Sequence, residues 1–156
     1  MSHAEAIHTL QPAAGATQAL VNFTGALRYD ALPEDARHYA RRHLLDTVGV
    51  MIAGAPGAIA TQAETVIKSV RPAGKIPVPG RARRADLLDA AFLGGTAAHG
   101  IELDDGYRHG SAHCGCVIVP AVLAISYDRN ASGPALIEAM VCGYETNIAL
   151  DRKSVV

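Results

Sequence analysis

The chain reads as an all-α protein, and three features lead there. Apolar residues recur at a spacing of three and four in one segment after another. The segments are joined by short connections rich in Pro and Gly rather than by strands. Hydrophobic residues make up 49% of the 156, but aromatics only 4%, with no Trp. A core built from Ala, Leu, Val and Ile suits close helix packing, and 156 residues suit one domain. At that size a domain buries roughly 70% of the surface that its unfolded chain exposes.

Residues 1–16 are polar, Ala-rich and unpatterned, and read as a mobile leader; residues 17–156 read as the helical domain. A first helix is expected over Thr17 to Leu27, where Leu20, Phe23 and Leu27 recur at helical spacing. Pro33 suits the first turn of a second helix, and Glu34 and Asp35 favour the positive end of its dipole. In that helix Ala36, Tyr39, Ala40, His43, Leu44, Thr47, Val48, Met51 and Ile52 form one stripe, until Gly54-Ala55-Pro56-Gly57 ends it.

Ala58 to Val70 follows, with Ala63, Val66, Ile67 and Val70 expected on one face. Arg71-Pro72-Ala73-Gly74 closes it. Lys75 to Gly80 alternates Ile76, Pro77, Val78 and Pro79, which favours an extended loop or a short edge strand. Asp86 to His99 is a helix of small residues, with Leu88, Ala91, Phe92, Gly95 and Ala98 on one side. Gly94 and Gly95 each lower its intrinsic helicity by roughly 1 kcal/mol, so close approach of a neighbouring backbone is expected there. Cys116 to Ser126 reads as a buried helix, in which Pro120 fits only the first turn. After the turn from Asp128 to Gly133, Ser132 or Gly133 can cap a last helix with Pro134 in its first turn. Leu136, Met140, Gly143 and Tyr144 share one face of it. That helix runs on past Asn147 to Val156 without a capping signal, which reads as a chain cut short.

Between the small-residue helix and the buried one lies the stretch richest in chemistry. Three carboxylates (Glu102, Asp104, Asp105), three imidazoles (His99, His109, His113) and two thiols (Cys114, Cys116) fall within eighteen residues. Titratable groups gathered in a loop between apolar helices are a candidate site. A carboxylate beside an imidazole can take a proton from carbon while the imidazole donates one elsewhere. Glu102 and His113 are the pair for that work. His113 stands at a helix start, where anionic groups bind well, which suits a carboxylate substrate. The same residues also read as a solvated acidic loop with a histidine that only caps the next helix. Arg108 and His109 either meet an acidic substrate or are solvated. His99 reads as a core or boundary histidine.

Other classes find less support. His109, His113, Cys114 and Cys116 offer zinc ligands, but Cys-x-Cys is tighter than the usual Cys-x₂-Cys, so a small zinc module is the minor alternative. The formal net charge is −1, with no basic stripe for nucleic acid. No run of eighteen apolar residues predicts a membrane span. Three cysteines do not pair into a disulfide framework, and no basic segment precedes an apolar run at the N-terminus; a cytoplasmic setting is the simplest expectation.

From about Leu20 to about Leu150 the sequence resembles the N-terminal part of the MmgE/PrpD family, which includes 2-methylcitrate dehydratase, cis-aconitate decarboxylase and iminodisuccinate epimerase. The resemblance is carried by His43-Leu44-Leu45-Asp46-Thr47-Val48-Gly49 with Ala53-Gly54, and by Gly95-Thr96-Ala97-Ala98-His99-Gly100-Ile101-Glu102-Leu103-Asp104-Asp105. His113 with Gly115, Val119-Pro120-Ala121 and Val141-Cys142-Gly143-Tyr144-Glu145 complete it. It implies a helical main domain, a smaller lid that this chain lacks, a homodimer, and catalysis without an organic cofactor or metal. The implied reactions transfer a proton at a carbon next to a carboxylate in small di- or tricarboxylates. Glu102 and His113 match family residues that line the active site and are the expected catalytic pair; Asp104 and Asp105 match the two acids that follow, and with His109 are the expected substrate-binding residues. Three departures stand out: Glu102 for the usual Asp, Gly106 where a Thr often follows, and Cys114 for the usual Pro. The family's later active-site residues would fall beyond Val156. A non-catalytic helical fragment that needs a partner chain is therefore the rival expectation.

Overall fold

The computed structural model describes residues 15–151, and the regular elements among them are helices, with one isolated bridge between Ile76 and Ala85. The leader expected over residues 1–16 lies almost wholly outside the described residues, as does the helical run past residue 151. The all-α expectation holds.

Helix α1 is Ala16–Ala26, and a single 3-10 turn at Tyr29–Ala31 leads to α2, Glu34–Gly54. Pro33 stands one position before α2, at its N-cap, with Glu34 and Asp35 in the first turn. Helix α3 is Ala58–Val70, α4 Leu87–His99, α5 Cys114–Arg129 and α6 Gly133–Asp151. Asp86 caps α4 by accepting from the Asp89 N–H, and the Ser132 hydroxyl accepts from the Ala135 N–H at the start of α6.

Helix α4 is the centre of the bundle, packed on α5, α2 and α3. Its inward face carries Ala90, Leu93, Gly94, Ala97 and Ala98. A Cβ on Gly94 would stand 2.5 Å from Met51 Cε and 2.8 Å from Pro120 Cβ, and one on Gly95 would stand 2.7 Å from the Cys116 carbonyl oxygen. The close approach expected at these glycines is present. One core cluster joins Ile67, Ile76, Val78, Ala90, Leu93 and Ala124. A second joins Ala40, Val119, Ile137 and Met140 between α2, α5 and α6.

Several faces differ from expectation. On α4, Leu88 and Phe92 point outward, 71% and 59% exposed, because the close contacts with α2 and α5 admit only small side chains. On α3, Val66 and Val70 are exposed while Ala60, Glu64 and Ile67 turn inward. Glu64 is drawn in by Arg81, 2.9 Å away, with Lys68 at 3.1 Å. Tyr39 and Ile52 lie at the exposed margins of the α2 stripe. Pro120 sits inside α5 rather than in its first turn, since α5 begins earlier, at Cys114.

Candidate active site

The site is the loop between α4 and α5, together with the helix ends it joins. Its first half turns sharply. Glu102 adopts a left-handed conformation, φ 54°, with its N–H bonded back to the His99 carbonyl at 3.0 Å. For a side chain other than Gly that conformation costs roughly 1–2 kcal/mol. The turn sends Asp104 inward and leaves the Glu102 carboxylate about three-quarters exposed, at 76%.

Asp104 is the hub, its side chain fully buried. His99 Nδ1 lies 3.0 Å from Asp104 Oδ2, and His113 Nδ1 lies 3.3 Å from the same oxygen. The two rings meet edge to face, 5.1 Å apart. Both are half exposed, so the buried carboxylate forms the floor and the imidazoles the walls. On the other side of His99, Nε2 stands 3.9 Å from Glu102 Oε1. Burial opposes the charge on Asp104, but the neighbouring Cys116 thiol and the hydrogen bond from His99 together hold its carboxyl below the usual range. The same hydrogen bond from His99 raises that histidine's pKa above its ordinary value.

Asp105 faces the other way and holds the loop to the bundle. Its Oδ1 accepts from the Gly115 N–H at 2.7 Å, capping α5 from ten residues away in sequence. Its Oδ2 accepts from the Tyr144 hydroxyl at 2.8 Å and lies 3.3 Å from His43 Nδ1. Burial, then Asp105 itself, keep the Tyr144 phenol protonated well above the usual tyrosine range. Gly115 is needed at this contact, because a Cβ there would lie 2.7 Å from Thr47 Oγ1 and 2.8 Å from Asp105 Oδ1. The far half of the loop is closed by the Tyr107 N–H on the Ala112 carbonyl. Asp151 tethers it by accepting from the Ser111 and Ala112 N–H groups at 2.9 and 3.3 Å. An open cleft of about 520 Å³ lies beside Asp105, lined also by Tyr39, Arg42, His43 and Asp46.

Of the residues singled out in the sequence, Asp104 and His113 come together, and Glu102 joins them through His99. Asp105 lies in the adjoining polar network, and His109 stands against the Tyr107 ring, 5.7 Å away. His99, His43 and Tyr144 lie on helix faces in the sequence reading, and a polar ring on an otherwise apolar stripe is the signal they carry. Burial pushes the Cys114 thiol up to about 11 and the Cys116 thiol up to about 12, and Cys116 donates to the His113 carbonyl.

Residues 18–154 match the model of the MmgE/PrpD N-terminal domain. The chain is also similar to a cis-aconitate decarboxylase-like protein, oryM, of Aspergillus oryzae. The two are 29% identical over 142 residues, covering 86% of this chain and 30% of the relative. The chain thus spans about 30% of the length of that curated relative. No solved structure matches it.

Proposed function

The chain belongs to the MmgE/PrpD family, and we propose that it is the N-terminal part of a lyase or isomerase that moves a proton at a carbon next to a carboxylate. The substrate class is a small di- or tricarboxylate, in keeping with the relative named cis-aconitate decarboxylase-like. One observation carries the reading: a buried carboxylate, Asp104, holds two half-exposed imidazoles beside the exposed carboxylate of Glu102. Glu102 is the proton acceptor at carbon. His113, held at Nδ1 by Asp104, supplies a proton to the departing or rearranging group. Asp105 and His109 complete the substrate side. The reading needs no organic cofactor, and it extends to a cytoplasmic homodimer.

The test uses the protein at its natural length, offered cis-aconitate and other small di- and tricarboxylates in D₂O. Proton NMR should show deuterium entering a carbon next to a carboxylate, or loss of CO₂ from it. Glu102→Gln and His113→Ala should each slow the reaction by about a hundredfold or more. Unchanged turnover in both variants would refute the assignment.

A second reading has an observation of its own. Leu45, Val70, Leu88 and Leu103 are 67–75% exposed, and large apolar side chains that gather into one exposed patch mark contact surfaces. That favours a helical segment whose faces are covered by further polypeptide, catalytic or not. Dye binding by the isolated 156-residue chain that disappears at natural length would support it.

A further inference from the structure

We propose that His99 is a positioning residue for Glu102, holding the proton acceptor both by its backbone and by a ring that is itself locked on Asp104. The role rests on the reading of Glu102 as that acceptor. Three observations carry it.

The first is that Glu102 has little else to hold it. Its carboxylate is 76% exposed. It stands one methylene beyond the Asp that the family usually carries, so one more bond is free to rotate. A group that takes a proton from carbon works only from a set distance and angle. Among the described residues no lysine or arginine pairs with Glu102; its ion-pair partner is His99, with Nε2 3.9 Å from Oε1.

The second is that residue 99 reaches Glu102 twice. The His99 carbonyl accepts from the Glu102 N–H at 3.0 Å. That bond closes the left-handed turn, φ 54°, and the same turn sets the carboxylate beside the His99 ring. Backbone held in such a sparsely populated conformation is a recurrent feature of functional sites.

The third is the ring's own anchorage. Nδ1 lies 3.2 Å from Asp104 Oδ1 and 3.0 Å from Oδ2, between both oxygens of a buried carboxylate. With Nδ1 taken by Asp104, Nε2 is the edge left for Glu102. A neutral imidazole has one N–H for two carboxylates, whereas the imidazolium has one for each. The hydrogen bond and the charge of Asp104 raise the pKa of His99; burial opposes them, and the charge of Glu102 adds to the rise. The groups that face the ring are Asp104 and Glu102 of the loop and His113 at the start of α5, whose ring meets it edge to face. Asp104 thus fixes the cation, and the cation fixes Glu102.

The protein at natural length is compared with its variants on cis-aconitate, or on the other small di- or tricarboxylate that it turns over. His99→Ala should lower kcat by about tenfold or more and change KM by less than about threefold, since His99 meets Glu102 and not the substrate. In a Glu102→Gln background the same substitution should cost less than about twofold, because a residue that acts through Glu102 then has nothing to act on. A histidine that only packs the loop would cost as much in either background. Nitrogen NMR of the imidazole needs no turnover. His99 should keep both ring protons above the ordinary histidine midpoint of about 6.5, and Glu102→Gln, a substitution at an exposed side chain, should lower its midpoint. Full activity of His99→Ala, equal losses in the two backgrounds, or a His99 midpoint that Glu102→Gln does not move would each overturn the proposal. Failure of the acceptor reading is distinct: Glu102→Gln itself would then keep its turnover, and the proposal would fall with it.

Discussion

At the scale of single residues, the loop is held by a few buried acceptors. Asp105 satisfies the first turn of α5, the Tyr144 hydroxyl and His43 at once. Tyr144→Phe removes one donor from a mostly buried carboxylate and leaves the ring packing intact. Hydrogen bonds to charged groups contribute roughly 1.5–3 kcal/mol, so Tyr144→Phe should lower the unfolding free energy in urea by about 2 kcal/mol. A change below a few tenths would show that His43 and Gly115 hold Asp105 unaided. The cysteines offer a second check at this scale. Alkylation needs an accessible thiolate. Cys114 and Cys116 are buried, with thiols pushed up to about 11 and about 12. Cys142 is only partly buried. Iodoacetamide at pH 8 should therefore modify Cys142 first, and the other two only as the protein unfolds. Peptide mass mapping against time reads the order, and early modification of Cys116 would contradict the hydrogen bond assigned to its thiol.

At the scale of elements, side-chain size rather than hydropathy sets the packing. Gly49 and Gly54 both lie in α2, yet their surroundings are opposite. Nothing stands within 4 Å of a Cβ on Gly49, whereas one on Gly54 would run into the Ala97 carbonyl of α4. Gly49→Ala should stabilise the protein by up to about 1 kcal/mol through helix propensity. Gly54→Ala should destabilise it by about 1–3 kcal/mol by forcing α2 off α4. Thermal unfolding of the two variants checks the sign of each. The same rule explains what could be read in advance. Helix positions were legible, because Pro33, Gly54 to Gly57, Asp86 and Ser132 mark ends locally. Gly94 and Gly95 foretold the close contact, and Asp104 with His113 was legible as a polar cluster. Inward faces were less legible. Leu88 and Phe92 are the most apolar choices on α4, but the space beside Met51 and Pro120 admits only glycine and alanine. Val66 and Val70 yield the inner face of α3 to Glu64, whose partner Arg81 lies 17 residues on in another segment. The start of α5 was hidden for a like reason. Its cap, Asp105, is supplied from across the loop, so the helix extends to Cys114 and encloses Pro120. The proline loses a bond to the Cys116 carbonyl, and that carbonyl lies where Gly95 leaves room for it. His99, Tyr144 and His43 joined the site through contacts that no local pattern records.

At the scale of the molecule, the bundle has a finished interior and unfinished outer faces. Leu88 and Phe92, one helical turn apart on α4, are 71% and 59% exposed, and Val66 and Val70, one turn apart on α3, are 63% and 72% exposed. Among the described residues no single helix is long and apolar enough to cross a membrane. This chain covers 30% of the matched relative, which is more than three times as long as the aligned portion. Further polypeptide, from the same protein or a second copy, is the cover that such pairs fit. The double substitution Leu88→Glu with Phe92→Glu separates covered from bare. On a face that stays in water, exchange of this kind shifts stability by about 0.5 kcal/mol at most. On a face that is packed in the working protein, loss of two large apolar side chains costs several times that, of order 2–5 kcal/mol for each buried site. The expected outcome is a contrast between two lengths of the same protein. The isolated 156-residue chain should become more soluble and bind less hydrophobic dye, with little change in its unfolding midpoint. The protein at natural length should lose its association or its stability. Equal tolerance at both lengths, read by sedimentation and urea unfolding, would mean that this face of α4 is solvent in the assembled protein, and that the cover must be sought on α3 and α2 instead.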